Sequence, residues 1–175
     1  MKNINLNTKT FKQNILTVFK KNIKFIFIIL LIFFPYFLFK DSLNYYFFQD
    51  DWFVLNWVKN GDIKSFFTFR TDIIYWRPLS MPTFFWVCRH LFQLNPLGYH
   101  LVSFVFHLFN SVILGYIIFL LFKNKLASAV CSLMYATASF HYMSISWLSL
   151  AWVQISNFFL LLSFLYSSVS LGISF

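Results

Sequence analysis

The run Leu97–Phe122 contains no Asp, Glu, Lys or Arg. As a helix rising ~1.5 Å per residue it would be about 40 Å long, more than the ~30 Å hydrocarbon core of a bilayer. Such a run constrains the fold class, because a helix satisfies its own backbone polar groups where no water can. The rest of the chain agrees: 59% of its residues are apolar and only 11% are charged. That excludes an ordinary soluble domain, which could not hide so much hydrocarbon from water. The wealth of Phe excludes disorder, and scarce Gly and Cys exclude collagen-like and disulfide scaffolds. The expected fold is an all-α membrane protein.

Charge placement orders the spans. Residues 1–24 hold Lys2, Lys9, Lys12, Lys20, Lys21 and Lys24 and no acid. Their position beside an apolar run fits the positive-inside rule better than nucleic-acid binding, so the basic segment 1–22 is expected in the cytoplasm. A first span follows over 23–39, interrupted only by Lys24 and by Pro35, which predicts a kink. No small-residue cleavage site follows it in Tyr36–Lys40, so it reads as an uncleaved signal-anchor. All the acids, Asp41, Asp50, Asp51, Asp62 and Asp72, fall in the next segment. This makes 40–96 a long extracytoplasmic loop, and a loop of that length is usually functional. A second span covers 97–122, and Lys123 and Lys125 return the chain to the cytoplasm. A third is expected over 126–145, with a short polar turn at His141–Ser146, and a fourth over 147–175. No cationic anchor follows Phe175, so the chain reads as the beginning of a larger protein, with a downstream remainder as a possible partner. The expectation is an integral, multi-pass protein of about four transmembrane helices, with its N-terminus inside and membrane lipid around it.

Two short helices are predicted within the loop. Asp51 precedes the apolar run Trp52–Val58, with Gly61 at its far end, which is an N-cap and a C-terminal stop. A second helix starts near Pro82 and repeats Phe84, Val87, Cys88, Leu91 and Phe92 on one face. Both read as interfacial helices, and Trp52, Trp57, Trp76 and Trp86 crowd the same loop. Cys88 and Cys131 fall on different segments and read as buried hydrophobes rather than a disulfide.

The candidate chemistry lies in a few polar residues. Asp50 and Asp51 are adjacent carboxylates among aromatic residues, and one could act as a general base. The alternative is that Asp51 is a cap and Asp50 a solvated charge. His100, Ser103, His107, Asn110 and Ser111 share one face of the second span. Such a stripe faces protein or a cavity, either as helix–helix glue or, for His100 near the loop acids, as part of a site. Arg77 is either an interface anchor or a phosphate ligand. There is no Gly-rich phosphate loop, no Cys/His metal spacing and no nucleophile elbow, so no cofactor is expected and a divalent metal has no support.

The ordered set Gln49-Asp50-Asp51-Trp52, Tyr75-Trp76-Arg77-Pro78-Leu79-Ser80, Asn95-Pro96-Leu97-Gly98-Tyr99-His100-Leu101-Val102 and Phe106-His107-Leu108-Phe109-Asn110-Ser111 resembles a known family. It is similar to the N-terminal third of GT-C-type polytopic glycosyltransferases, in the branch of protein mannosyltransferases and the transmembrane and TPR-containing mannosyltransferases. The likeness covers roughly Phe48–Ser111. Over Ser139–Trp147, His141 and Trp147 match, while Ser139 and Met143 replace the family's Pro and Glu. The resemblance implies a hexosyltransferase that takes a sugar from a polyprenyl-phosphate-linked donor and passes it to an acceptor, not a nucleic acid, on the extracytoplasmic side. It implies Asp50 as base with Asp51 in support, and Arg77, His100 and His141 near the donor phosphate.

Overall fold

The computed structural model describes residues 25–69 and 77–170. The basic segment 1–22, the start of the first run, Arg70, Asp72, Tyr75, Trp76 and the end of the last run lie outside them. The described residues are all helical or irregular, with no strand. The helices are α1 (Phe25–Phe39), α2 (Asp50–Lys59), α3 (Ile63–Phe66), α4 (Pro82–Phe92), α5 (Pro96–Phe122), α6 (Lys125–Thr137), α7 (Tyr142–Ser146) and α8 (Ala151–Ser170). Two helical stretches, Pro96–Phe122 and Leu148–Ser170, are long and apolar enough to cross a membrane.

Helix α5 is the axis of the fold. Asn95 caps it by accepting from the Leu97 N–H at 3.2 Å, and Pro96 fills the first turn, where its missing N–H costs nothing. Its polar and apolar faces are inverted relative to a soluble helix. His100, Ser103, His107, Asn110 and Ser111 are wholly buried, while Leu101, Val105, Phe109 and Val112 are exposed. That arrangement suits a hydrocarbon solvent, in which polar groups must find partners inside the protein.

Lys123, in the left-handed region at φ 51°, ends α5, and Asn124 caps α6 by accepting from the Leu126 and Ala127 N–H groups. The two helices then pack on small residues. Ser111 Oγ donates to the Ser132 carbonyl at 2.6 Å, Ser132 Oγ to the Ser111 carbonyl at 2.9 Å, and Ser128 Oγ to the Gly115 carbonyl at 2.6 Å. A methyl group at Gly115 would lie 2.9 Å from the Ser132 Cβ, so the close approach requires glycine there. On the other side of α5, Asn110 Nδ2 donates to the Gln154 carbonyl of α8 at 2.8 Å.

Three expectations change. The stretch 126–145 is not one helix: α6 has 13 residues and stops at Thr137, about 20 Å and short of a bilayer core. A 3₁₀ turn at Ser139–His141 and the short α7 follow, so the expected polar turn His141–Ser146 is itself helical. Helix α4 begins at Pro82 as expected but turns a different face inward: Phe84, Phe85 and Cys88 are buried, whereas Val87 and Leu91 are exposed. The loop helices are more than interfacial elements. Val54, Leu55 and Val58 of α2, Phe66 of α3 and Phe84, Phe85 and Cys88 of α4 form one core with Tyr99 of α5 and with Leu148 and Ala151. This cap sits on the Pro96 end of α5. Burial raises the Cys88 thiol to about 12, which makes it an inert core residue, and Cys131 is a half-buried free thiol. Helix α1 continues past Pro35 to Phe39 and buries only Leu31, Pro35 and Phe39, one narrow stripe.

Candidate functional site

The acid pair opens α2, but Asp51 is not its cap. Gln49 holds that position with φ 39° and ψ −105°, and its side chain makes no capping bond. A non-glycine residue at positive φ directly before two acids is local strain of the kind that collects at functional segments. Asp51 is one residue further into the helix and buried. Its Oδ2 accepts from the Phe48 N–H at 3.0 Å. Its Oδ1 accepts from both the N–H and the hydroxyl of Ser149, each at 2.6 Å. Burial holds the Asp51 carboxyl above the ordinary carboxylate range; the Ser149 and Phe48 bonds and the nearby His100 pull the other way. Asp50, on the neighbouring position of the same turn, is exposed.

Ser149 lies in a 3₁₀ turn, Leu148–Leu150, that leads into α8. Trp152 follows within a turn, and the Arg77 guanidinium lies 3.7 Å over its ring. Both loop motifs, the acid pair and the Arg77-Pro78-Leu79 turn, therefore meet at the start of α8. The arrangement places a fixed carboxylate, an exposed carboxylate and a guanidinium at one end of the bundle. It can accept a proton at Asp50 and offer a planar cation for an anionic group.

His100 is wholly buried beneath this turn. Its Nδ1 lies 2.9 Å from the Ile145 carbonyl and its Nε2 3.1 Å from the Tyr45 carbonyl. Both nitrogens are engaged by the backbone, so its side chain is directed at the protein rather than at a phosphate outside it. His141 is buried too, in a second cluster deeper along α5. Its ring is 4.6 Å from that of His107 and 4.4 Å from that of Tyr135, and its Nδ1 is 3.3 Å from Gln154 Nε2. The structure thus brings Asp51, Asp50, Arg77 and His100 to one end and sets His141 apart. His107 Nδ1, His141 Nε2 and Asn110 Oδ1 are buried without a protein partner. Among the described residues, no group of three or more His, Cys, Asp or Glu side chains is placed to hold a metal ion.

Sequence reasoning missed Ser149, Gln154 and the Tyr45–Tyr142 pair, whose hydroxyls are 2.6 Å apart. Gln154 left a signal, as an amide inside a charge-free run. Ser149 and the tyrosine pair left none, because their partners lie 98 and 97 residues away.

Among the described residues, fold and site define an all-helical arrangement with two membrane-length helices, a buried polar stripe and a capped end where two carboxylates and an arginine gather. Compared with protein-family models, curated proteins and solved structures, the chain matches none.

Proposed function

We propose that this chain forms the first loop and supporting spans of a membrane glycosyltransferase of GT-C type, using a sugar linked to a polyprenyl phosphate. In this reading α1, α5, the α6–α7 stretch and α8 are four membrane passages, the N-terminus is cytoplasmic and the capped end faces the extracytoplasmic side. The observation that carries it is the meeting of the two loop motifs at Ser149–Trp152. Residues far apart in sequence gather acid and guanidinium at the surface end of an inverted helix bundle, where a lipid-borne phosphate would arrive. Asp50 is the base toward the acceptor, Asp51 holds α2 in place, and Arg77 meets the donor phosphate. His100 and His141, being buried, serve as internal supports rather than phosphate ligands. A groove of about 390 Å³ lined by Leu101, Val105, Phe109 and Phe158 offers an isoprenoid chain an apolar surface beside α5.

The test is transfer or hydrolysis of a radiolabelled mannosyl- or glucosyl-phosphopolyprenol in nanodiscs by this chain assembled with the remaining spans of the enzyme. Removing a general base typically lowers the rate ~10²–10⁴-fold, so Asp50→Asn should do so with protein level unchanged. Arg77→Ala should weaken donor use with less effect at saturation. An assembly that neither binds nor cleaves these donors, or an Asp50→Asn variant with full activity, would favour a non-enzymatic membrane subunit instead.

A further inference from the structure

His100 has one partner on each ring nitrogen, and both partners are carbonyl oxygens, which only accept hydrogen bonds. A neutral imidazole carries a single N–H. In that form one nitrogen lone pair would face a carbonyl lone pair at about 3 Å with no water to separate them, since the side chain is wholly buried. The donor count closes only when both nitrogens are protonated. A buried cation is costly unless it is compensated, and the buried Asp51 carboxylate supplies the opposite charge through space rather than in a direct ion pair. The Asp51 oxygens receive three donors, a pattern suited to a carboxylate, and His100 is among the groups that favour its charged form.

The titratable and charged groups on the elements around His100 can be named in full. Asp50, Asp51 and Lys59 belong to α2, Cys88, Arg89 and His90 to α4, His141 and Tyr142 to the turn before α7 and to α7, and Lys40, Asp41, Tyr45 and Tyr46 to the segment after α1. Tyr99, His107 and Tyr116 share α5 with it. Asp41 and Lys40 are exposed, and the Tyr45 and Tyr142 hydroxyls bond each other. Asp51 is the buried acid of the set.

We propose that His100 is a permanently charged imidazolium strut that ties the Tyr45–Asp51 segment and the Ile145–Ser149 segment to α5, and that it is a positioning residue for Asp50. The last clause rests on the transfer reading above; the strut does not. Three segments distant in sequence converge on this ring: the Tyr45 carbonyl leads into α2, the Ile145 carbonyl ends α7, and Asp51 bonds Ser149 between them. Loss of the second proton would turn one nitrogen into a repelling lone pair and release one carbonyl. The acid-bearing end of α2 would then loosen as pH rises.

The experiment uses the full chain in lipid nanodiscs with ¹⁵N-labelled histidine. Nitrogen shifts separate protonated from unprotonated ring positions, and His100→Gln assigns one of the four imidazoles. An unperturbed histidine, with a pKa near ~6.5, is almost entirely neutral at about pH 8, whereas His100 should still show two protonated nitrogens there. A neutral His100 at that pH would overturn the strut. Amide exchange supplies the second measurement. Exchange across Tyr45–Asp51 should rise at least ~10-fold in His100→Gln relative to His107→Gln, and equal protection in both would also overturn it. Neither measurement involves sugar transfer, so an assembled enzyme that is inactive while His100 is doubly protonated refutes the transferase and keeps the strut.

Discussion

At the residue scale, Asp51 shows how little of a side chain's job is written beside it. An Asp before an apolar run is a sound cap signal, and a helix does begin there, two residues earlier than expected. The cap itself falls on Gln49, because Asp51 is recruited by Ser149, 98 residues away. No local pattern encodes that pairing. The arrangement makes a clear stability prediction. In Asp51→Asn one side-chain oxygen is replaced by an NH₂ group, so either the Phe48 N–H or the two Ser149 donors would face a donor. A buried donor left unsatisfied costs about 1–3 kcal/mol, which should appear as a lower unfolding midpoint in detergent. Ser149→Ala should cost about 1 kcal/mol, and the double variant should cost less than the sum, since both remove one contact. The pH dependence carries a definite sign. The folded Asp51 carboxyl binds its proton more tightly than the unfolded one, whose value is 3.8. The folded state is therefore favoured as pH falls through the folded pKa, with the whole gain present below 3.8. The stability advantage of the native protein over Asp51→Asn should widen on acidification across that window; a narrowing gap would mean that the hydrogen bonds outweigh burial.

At the element scale, what was legible followed the solvent. The polar stripe of α5 was readable because polar groups in an apolar helix have only one place to go, and the structure buries all five. The start of α4 was readable from Pro82, whose fixed φ and missing N–H suit a first turn. Its inward face was not, because Phe85 and Val87 are equally apolar and only the position of Tyr99 chooses between them; the Phe85 ring lies 5.8 Å from that of Tyr99. The break at Thr137 was also hidden: the sequence carries no charge through Phe140 and contains neither Gly nor Pro there. The α5–α6 hairpin supplies the test at this scale. Gly115 meets Ser132 so closely that a Cβ forces the helices apart. Gly115→Val should destabilise by about 1–3 kcal/mol, the range for overpacking a tight interface. Gly115→Ala should cost less, and pairing it with Ser132→Gly should recover part of the loss by vacating the contacted Cβ. Thermal unfolding in one detergent compares the three; an unchanged midpoint for Gly115→Val would mean that these helices do not pack through their small residues.

At the scale of the whole molecule, the length of α5 fixes what the topology must be if the bundle spans a bilayer. Its 27 residues extend about 40 Å, more than a ~30 Å core. The cap of α2, α3 and α4 packs at one end of it, and the Lys123–Asn124 turn closes the other. Asn60, exposed at the end of α2, and the α5–α6 turn should therefore lie on opposite sides of the membrane, with the lysine-bearing turn inside by the positive-inside rule. Labelling of single cysteines tests this. Asn124 is a poor site, because its side chain caps α6 through two N–H groups, and losing a cap costs about 1 kcal/mol; exposed Lys125 is the better choice. The two native thiols must go first: Cys88→Ala, because the residue is buried, and Cys131→Ser, because it is half-exposed. In that background an impermeant maleimide should label Asn60→Cys in intact cells, and Lys125→Cys only after permeabilisation. If both label from outside, α5 does not span and the four-passage reading fails with it. If only Lys125→Cys labels, the bundle is inverted, and Asp50 and Arg77 face the cytoplasm, away from any extracytoplasmic acceptor.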